Sequence, residues 1–86
     1  MISWREAIRV AMIRAGESEV DLVATTLTAE EWDLRFDDDF GAEEGRPFTL
    51  WTKKRVYFPA CYDGSEWVES VPRDPSDEKT CHLGGG

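Results

Sequence analysis

Cys61, Cys81, His82 and a long run of carboxylates are the side chains of this chain with chemistry to offer. Zinc asks for four ligands, usually in closely spaced pairs. Here Cys61, Cys81 and His82 would have to borrow a fourth, such as Asp63, and the paired spacing is missing. A Cys–His nucleophile fares no better, because His82 neighbours Cys81 in the chain and Cys61 would have to be brought to it by the fold. Asp39-Phe40-Gly41 spells the metal-binding triplet of protein kinases, yet there is no Gly-rich loop and no catalytic loop. An EF-hand loop counted from Asp37 puts Ala42 where Gly is required and Phe48 where Glu is required. The residues therefore predict no catalytic centre, no metal site and no cofactor, and the chain reads as non-enzymatic.

The carboxylates are informative as a group. Between Glu17 and Glu44 lie eleven acids (Glu17, Glu19, Asp21, Glu30, Glu31, Asp33, Asp37, Asp38, Asp39, Glu43 and Glu44) against one base, Arg35. The residues before this stretch carry +2 and those after it balance, so the stretch accounts for the net charge of −8. A clustered field of one sign favours a partner of the other sign. Carboxylates along a helix and loop imitate a row of phosphates and suit the groove of a basic, nucleic-acid-binding protein. Direct nucleic-acid binding would need a basic footprint instead. The expected contact set is Glu30, Glu31, Trp32, Asp33, Asp37, Asp38, Asp39, Phe40, Glu43 and Glu44, with Trp32 or Phe40 as the apolar anchor. The competing interpretation is a solvated face that only keeps the protein dissolved.

These residues must be held by local elements. Ser3 and Glu6 have capping-box spacing, and Trp4, Ile8, Met12 and Ala15 recur on one helical face beside Ala7 and Ala11. A helix is predicted from Trp4 to Ala15, ended by Gly16 in the left-handed conformation. Ser18 as N-cap, with Glu19 and Asp21 behind it, suggests a short helix over Glu19–Ala24, although Thr25 and Thr26 oppose it. Thr28 and Glu31 repeat the box, predicting a third helix over Ala29–Phe36 with Trp32 and Phe36 one turn apart. After Gly45 and Pro47 the chain becomes aromatic and β-branched. Strands are predicted at Phe48–Thr52, Arg55–Tyr62 and Glu66–Val71, with Asp63-Gly64 as a type I′ hairpin turn. Pro59 must sit at a bulge or point its donor position away from the ladder.

The expected fold is α+β: a single domain over 1–73, with N-terminal helices (3–40) packed on a three-stranded antiparallel β-meander (48–71). Residues 74–86 form a C-terminal tail. Trp51, Tyr57, Tyr62 and Trp67 should be mostly core or cross-strand pairs, with one or two exposed as a protein-binding patch. Lys53, Lys54 and Arg55 form a solvated turn, or dock on the acidic stretch of a second copy. At 86 residues one core is the limit. Apolar runs of three or four residues span no membrane, and the N-terminal stretch has no continuous apolar segment, so a cytoplasmic protein with reduced cysteines is expected. Gly84-Gly85-Gly86 suggests a diglycine-tailed carrier, an alternative opposed by the helical start.

The blocks Arg46-Pro47-Phe48-Thr49-Leu50-Trp51-Thr52, Arg55-Val56-Tyr57-Phe58-Pro59, Tyr62-Asp63-Gly64-Ser65-Glu66-Trp67-Val68 and Ser70-Val71-Pro72-Arg73 resemble small uncharacterised proteins of tailed phages and prophages. So does the ending His82-Leu83-Gly84-Gly85-Gly86. The resemblance covers about half of the chain and brings no catalytic residues with it. It implies a setting in which small acidic proteins neutralise host machinery, as anti-CRISPR and DNA-mimicking inhibitors do. The expected function is thus a non-enzymatic inhibitor, monomer or homodimer, acting in the host cytoplasm on a basic nucleic-acid-handling protein, with a CRISPR effector foremost. A virion or assembly component that self-associates through its sheet edge is the alternative.

Overall fold

The computed structural model describes residues 1–36, 45–62 and 64–83. It is an α+β fold in which an N-terminal helix packs on a four-stranded antiparallel sheet, with a small two-stranded sheet beside it. Strand β1 (Ile2–Ser3) leads into helix α1 (Trp4–Arg14), followed by a 3₁₀ turn (Glu19–Asp21) and β2 (Leu22–Thr25). Helix α2 (Ala29–Asp33), β3 (Arg35–Phe36), β4 (Leu50–Thr52), β5 (Arg55–Tyr62) and β6 (Ser65–Pro72) complete the order. The large sheet runs β2-β4-β5-β6, and β1 pairs with β3.

Helix α1 starts and stops on its local chemistry. Ser3 takes an extended conformation and its Oγ accepts from the Glu6 N–H at 3.3 Å. The predicted box is only half made, because the Glu6 carboxylate accepts from Arg35 Nη1 at 3.0 Å and from the Ser3 hydroxyl. At the other end Gly16 has φ +74°. Its N–H donates to Ile13 O at 3.1 Å, and the Glu17 N–H donates to Met12 O at 2.8 Å, the paired bonds of a Schellman stop. Trp4, Ala7, Ile8, Ala11 and Met12 are buried from α1, as the periodicity requires. They meet Leu27, Phe36, Phe48, Leu50, Tyr57 and Val68 in one core. Trp4 is its centre, with ring centroids 4.7 Å from Phe36 and 5.0 Å from Phe48, and its Nε1–H donates to Arg46 O at 2.8 Å.

Two predicted helices are corrected. Over Glu19–Ala24 the chain makes one 3₁₀ turn and then a strand, paired as Leu22–Thr52, Ala24–Trp51 and Thr25–Leu50 with a bulge at Val23. The β-branched residues that weakened the helix there favour this strand. The meander therefore has a fourth strand added at its β4 edge. The third helix ends at Asp33 rather than Phe36: Leu34 turns extended, and Arg35–Phe36 pair with Ile2–Ser3. Burial of Phe36 against Trp4 outweighs one further turn of an exposed helix. Trp32 and Phe36 consequently part, the first to a surface groove and the second to the core. The Thr28–Glu31 capping box is complete, with bonds of 3.2 and 3.0 Å.

The β5–β6 hairpin keeps continuous register from Arg55–Pro72 to Tyr62–Ser65. Gly64 has φ +83°, as the predicted turn requires, while Asp63 lies outside the described residues. Pro59 causes no bulge. The Arg55 N–H points toward β4, where Thr52 Oγ1 accepts it at 2.9 Å, and alternation sends the Pro59 nitrogen the same way. The last β4 pair is Leu50–Tyr57, so nothing there needs the missing donor.

A candidate protein-interaction groove

Between α1, the 3₁₀ turn, β2 and α2 lies a concavity of about 270 Å³. Its floor is apolar: Ile8 and Met12, both nearly fully buried, meet the half-buried Trp32 and the more exposed Leu22. Its rim is charged and made of two ion pairs. Arg5 Nε donates to Asp33 Oδ1 at 2.7 Å and Arg5 Nη2 to Oδ2 at 3.3 Å. Arg9 Nη2 donates to Glu19 Oε1 at 3.2 Å. The Arg5 guanidinium also stands 5.4 Å from the Trp32 ring, within cation–π range. The hydrogen bond between Arg5 and Asp33, aided by their attraction, raises the pKa of the arginine and lowers that of the carboxylate. Both side chains remain solvent-exposed, so the pair is easily exchanged.

Local sequence accounts for this placement. Arg5 and Arg9 stand one turn apart on α1, and the box at Thr28 aims α2 so that Trp32 and Asp33 reach them. Leu22 reaches the groove because β2 is a strand.

Among the described residues the acidic stretch is not a single free face. Glu17 turns inward, where its Oε1 accepts from the Tyr57 hydroxyl at 2.7 Å and from Thr52 Oγ1 at 2.8 Å. Glu19 and Asp33 bind the α1 arginines, Asp21 accepts from the Ser18 N–H at 3.0 Å, and Glu31 is used in its capping box. The Glu30 side chain makes no hydrogen bond or ion pair among the described residues. The structure therefore gathers Glu30, Glu31, Trp32 and Asp33 on α2. Asp37, Asp38, Asp39, Phe40, Glu43 and Glu44 lie outside the described residues.

Other candidates separate. Cys61 and Cys81 are free and exposed. No cluster of three metal-ligating side chains occurs among the described residues, and no described helix is long and apolar enough to cross a membrane. Of the four hairpin aromatics, Tyr57 is fully buried and Tyr62 is exposed. Trp51 and Trp67 are half-buried on the sheet face turned away from α1, with Val56, Phe58 and Val71. Sequence reasoning missed the inward role of Glu17 and the pairing of Arg5 and Arg9 with distant acids. For the arginines a signal existed in their one-turn spacing. The destination of Glu17 depends on a strand forty residues away.

Comparison with known proteins returns no family model, no curated protein and no solved structure that matches this chain.

Proposed function

We propose that the protein is a non-enzymatic modulator that docks a basic, nucleic-acid-handling partner on the groove beside α2. What supports this reading is the apolar floor at Trp32 flanked by Glu19, Glu30, Glu31 and Asp33. An apolar anchor from the partner fills the groove, while its Lys or Arg side chains take Glu30 and exchange with Arg5 and Arg9 for Asp33 and Glu19. Apolar anchors carry interface energy, and rim charges set partner choice and association rate. The partner proposed is a basic host nucleic-acid-handling protein, with a CRISPR effector first.

The test is affinity capture from host lysate with three baits: the native chain, Glu30→Lys with Glu31→Lys, and Trp32→Ala. The expected result is recovery of basic nucleic-acid-binding proteins by the native bait alone, declining as salt rises from 0.1 to about 0.5 M. Equal recovery by the charge-reversed bait refutes the reading.

A second reading, self-association, is favoured by β2, an edge strand paired only with β4 among the described residues, where Leu22 is 38% and Val23 is 55% exposed. Light scattering across a concentration series separates the two readings, since only self-association makes mass rise with concentration.

A further inference from the structure

A concavity of about 390 Å³ lies between the last turn of α1, the β5–β6 hairpin and the tail. Its centre is Arg55, whose side chain is only 18% exposed. Ser70 fixes the guanidinium: Nε donates to Ser70 Oγ at 2.7 Å and Nη2 to Ser70 O at 3.2 Å. The outer edge of the fork holds Glu78 in a two-point pair, Nη1 to Oε1 at 2.9 Å and Nη2 to Oε2 at 2.8 Å. A pre-oriented guanidinium presenting two parallel donors is the geometry that recognises a carboxylate.

The occupant is loosely tethered. Residues 73–83 form no helix or strand. Arg73 is tied to the body through Lys54 O and Thr52 O. Beyond Arg73, Glu78 supplies the tail's only hydrogen bonds to the body among the described residues. The Arg14 side chain lines the same cleft and makes no hydrogen bond or ion pair among the described residues. A cation suits the end of a helix, which accounts for its position but leaves its donors unused. Glu69 is the other charged lining residue. Strand alternation turns the Glu69 side chain to the other face of the sheet with Phe58, so with Glu78 seated the cleft sets two guanidiniums against one carboxylate. With Glu78 withdrawn, the cleft carries a larger excess of positive charge.

We propose that this cleft is a binding site for the carboxylate of an acidic peptide segment from another protein, and that Glu78 is its resident, displaceable occupant. Arg55 takes the incoming carboxylate by its fork, and Arg14 adds the second cation. The tail competes as an intramolecular ligand, so the apparent affinity for an outside peptide is reduced by the fraction of time that Glu78 is seated. This proposal concerns a different surface from the groove and stands independently of it.

The probe is a fluorescein-labelled synthetic peptide carrying residues 74–80 of the chain itself, titrated by anisotropy into the full chain. Glu78→Gln in the full chain should tighten peptide binding about three- to tenfold, because a carboxylate that stays open to solvent on a loose tail is a weak competitor. Arg14→Glu added to that variant should weaken binding severalfold, and a probe whose own Glu78 is Gln should bind neither chain. Circular dichroism on each variant confirms that the fold is intact. Equal binding to the native and Glu78→Gln chains overturns the proposal. So does indifference to Arg14→Glu, or failure of the probe to bind the Glu78→Gln chain at millimolar concentration. Displacement of the probe by inorganic phosphate more readily than by free glutamate would also overturn the assignment to carboxylates.

Discussion

Gly16 reverses the chain at the end of α1 and so delivers Glu17 to Tyr57 and Thr52, two side chains with no exposed surface. An acid that counts toward surface charge in the sequence thereby becomes the polar tie between helix and sheet. Removing it leaves the buried Tyr57 hydroxyl without its acceptor, whereas Thr52 Oγ1 can still donate to Arg55 O at 3.2 Å, and Glu17→Ala should cost about 1–3 kcal/mol in urea denaturation. Burial, then the bond to Glu17, pushes the Tyr57 hydroxyl well above its ordinary pKa of about 10. A raised folded-state value means that this contribution is complete below the ordinary value and is lost as pH climbs past it. Stability should therefore fall above about pH 10, and Tyr57→Phe should flatten that limb of the curve. Gly45 is constrained by space instead. A Cβ there would strike the Trp4 ring and come 2.9 Å from Glu66 Oε1, while the Gly45 N–H donates to the same carboxylate at 3.0 Å. Gly45→Ala should destabilise by about 1–3 kcal/mol, read from the same denaturation curves.

Among the elements, those specified by their own residues were legible in sequence. The period of Trp4, Ile8 and Met12 with Gly16 behind it defined α1, and Gly64 between β-rich runs defined the long hairpin. Elements whose state depends on a distant partner were not legible. Leu22–Thr25 become a strand because β4 offers an open edge, and α2 stops early because Phe36 has a place beside Trp4. The candidate groove inherits both difficulties. Trp32, Asp33, Glu30 and Glu31 were identifiable from charge and aromaticity, whereas the arginines across from them were signalled only by their one-turn spacing and their partners not at all. Residues 74–86 read in sequence only as a tail, and the structure ties it to the body through Glu78. A hydrogen bond from Arg55 holds that carboxyl below its ordinary range. Its contribution is present above the ordinary value and disappears as pH falls through the lowered one. Amide signals of residues 79–83 should thus sharpen toward free-chain values only once the pH falls below the ordinary carboxylate range, and in Glu78→Gln they should do so at neutral pH.

At the scale of the whole molecule, a net charge of −8 accompanies described ion pairs that are mostly exposed. Self-repulsion of like charge opposes the compact state, while exposed pairs add little. Added salt should therefore raise the thermal midpoint of the isolated protein even as it weakens a charge-led complex. The Glu17–Tyr57 bond has a kinetic consequence as well, because it joins residues forty apart in sequence. The β5–β6 hairpin closes through a two-residue turn and needs no such long loop, so it is expected to form in the folding transition state before α1 docks. In chevron kinetics Glu17→Ala should then accelerate unfolding and leave the refolding limb almost untouched, whereas Val68→Ala, in the hairpin and the core, should slow refolding.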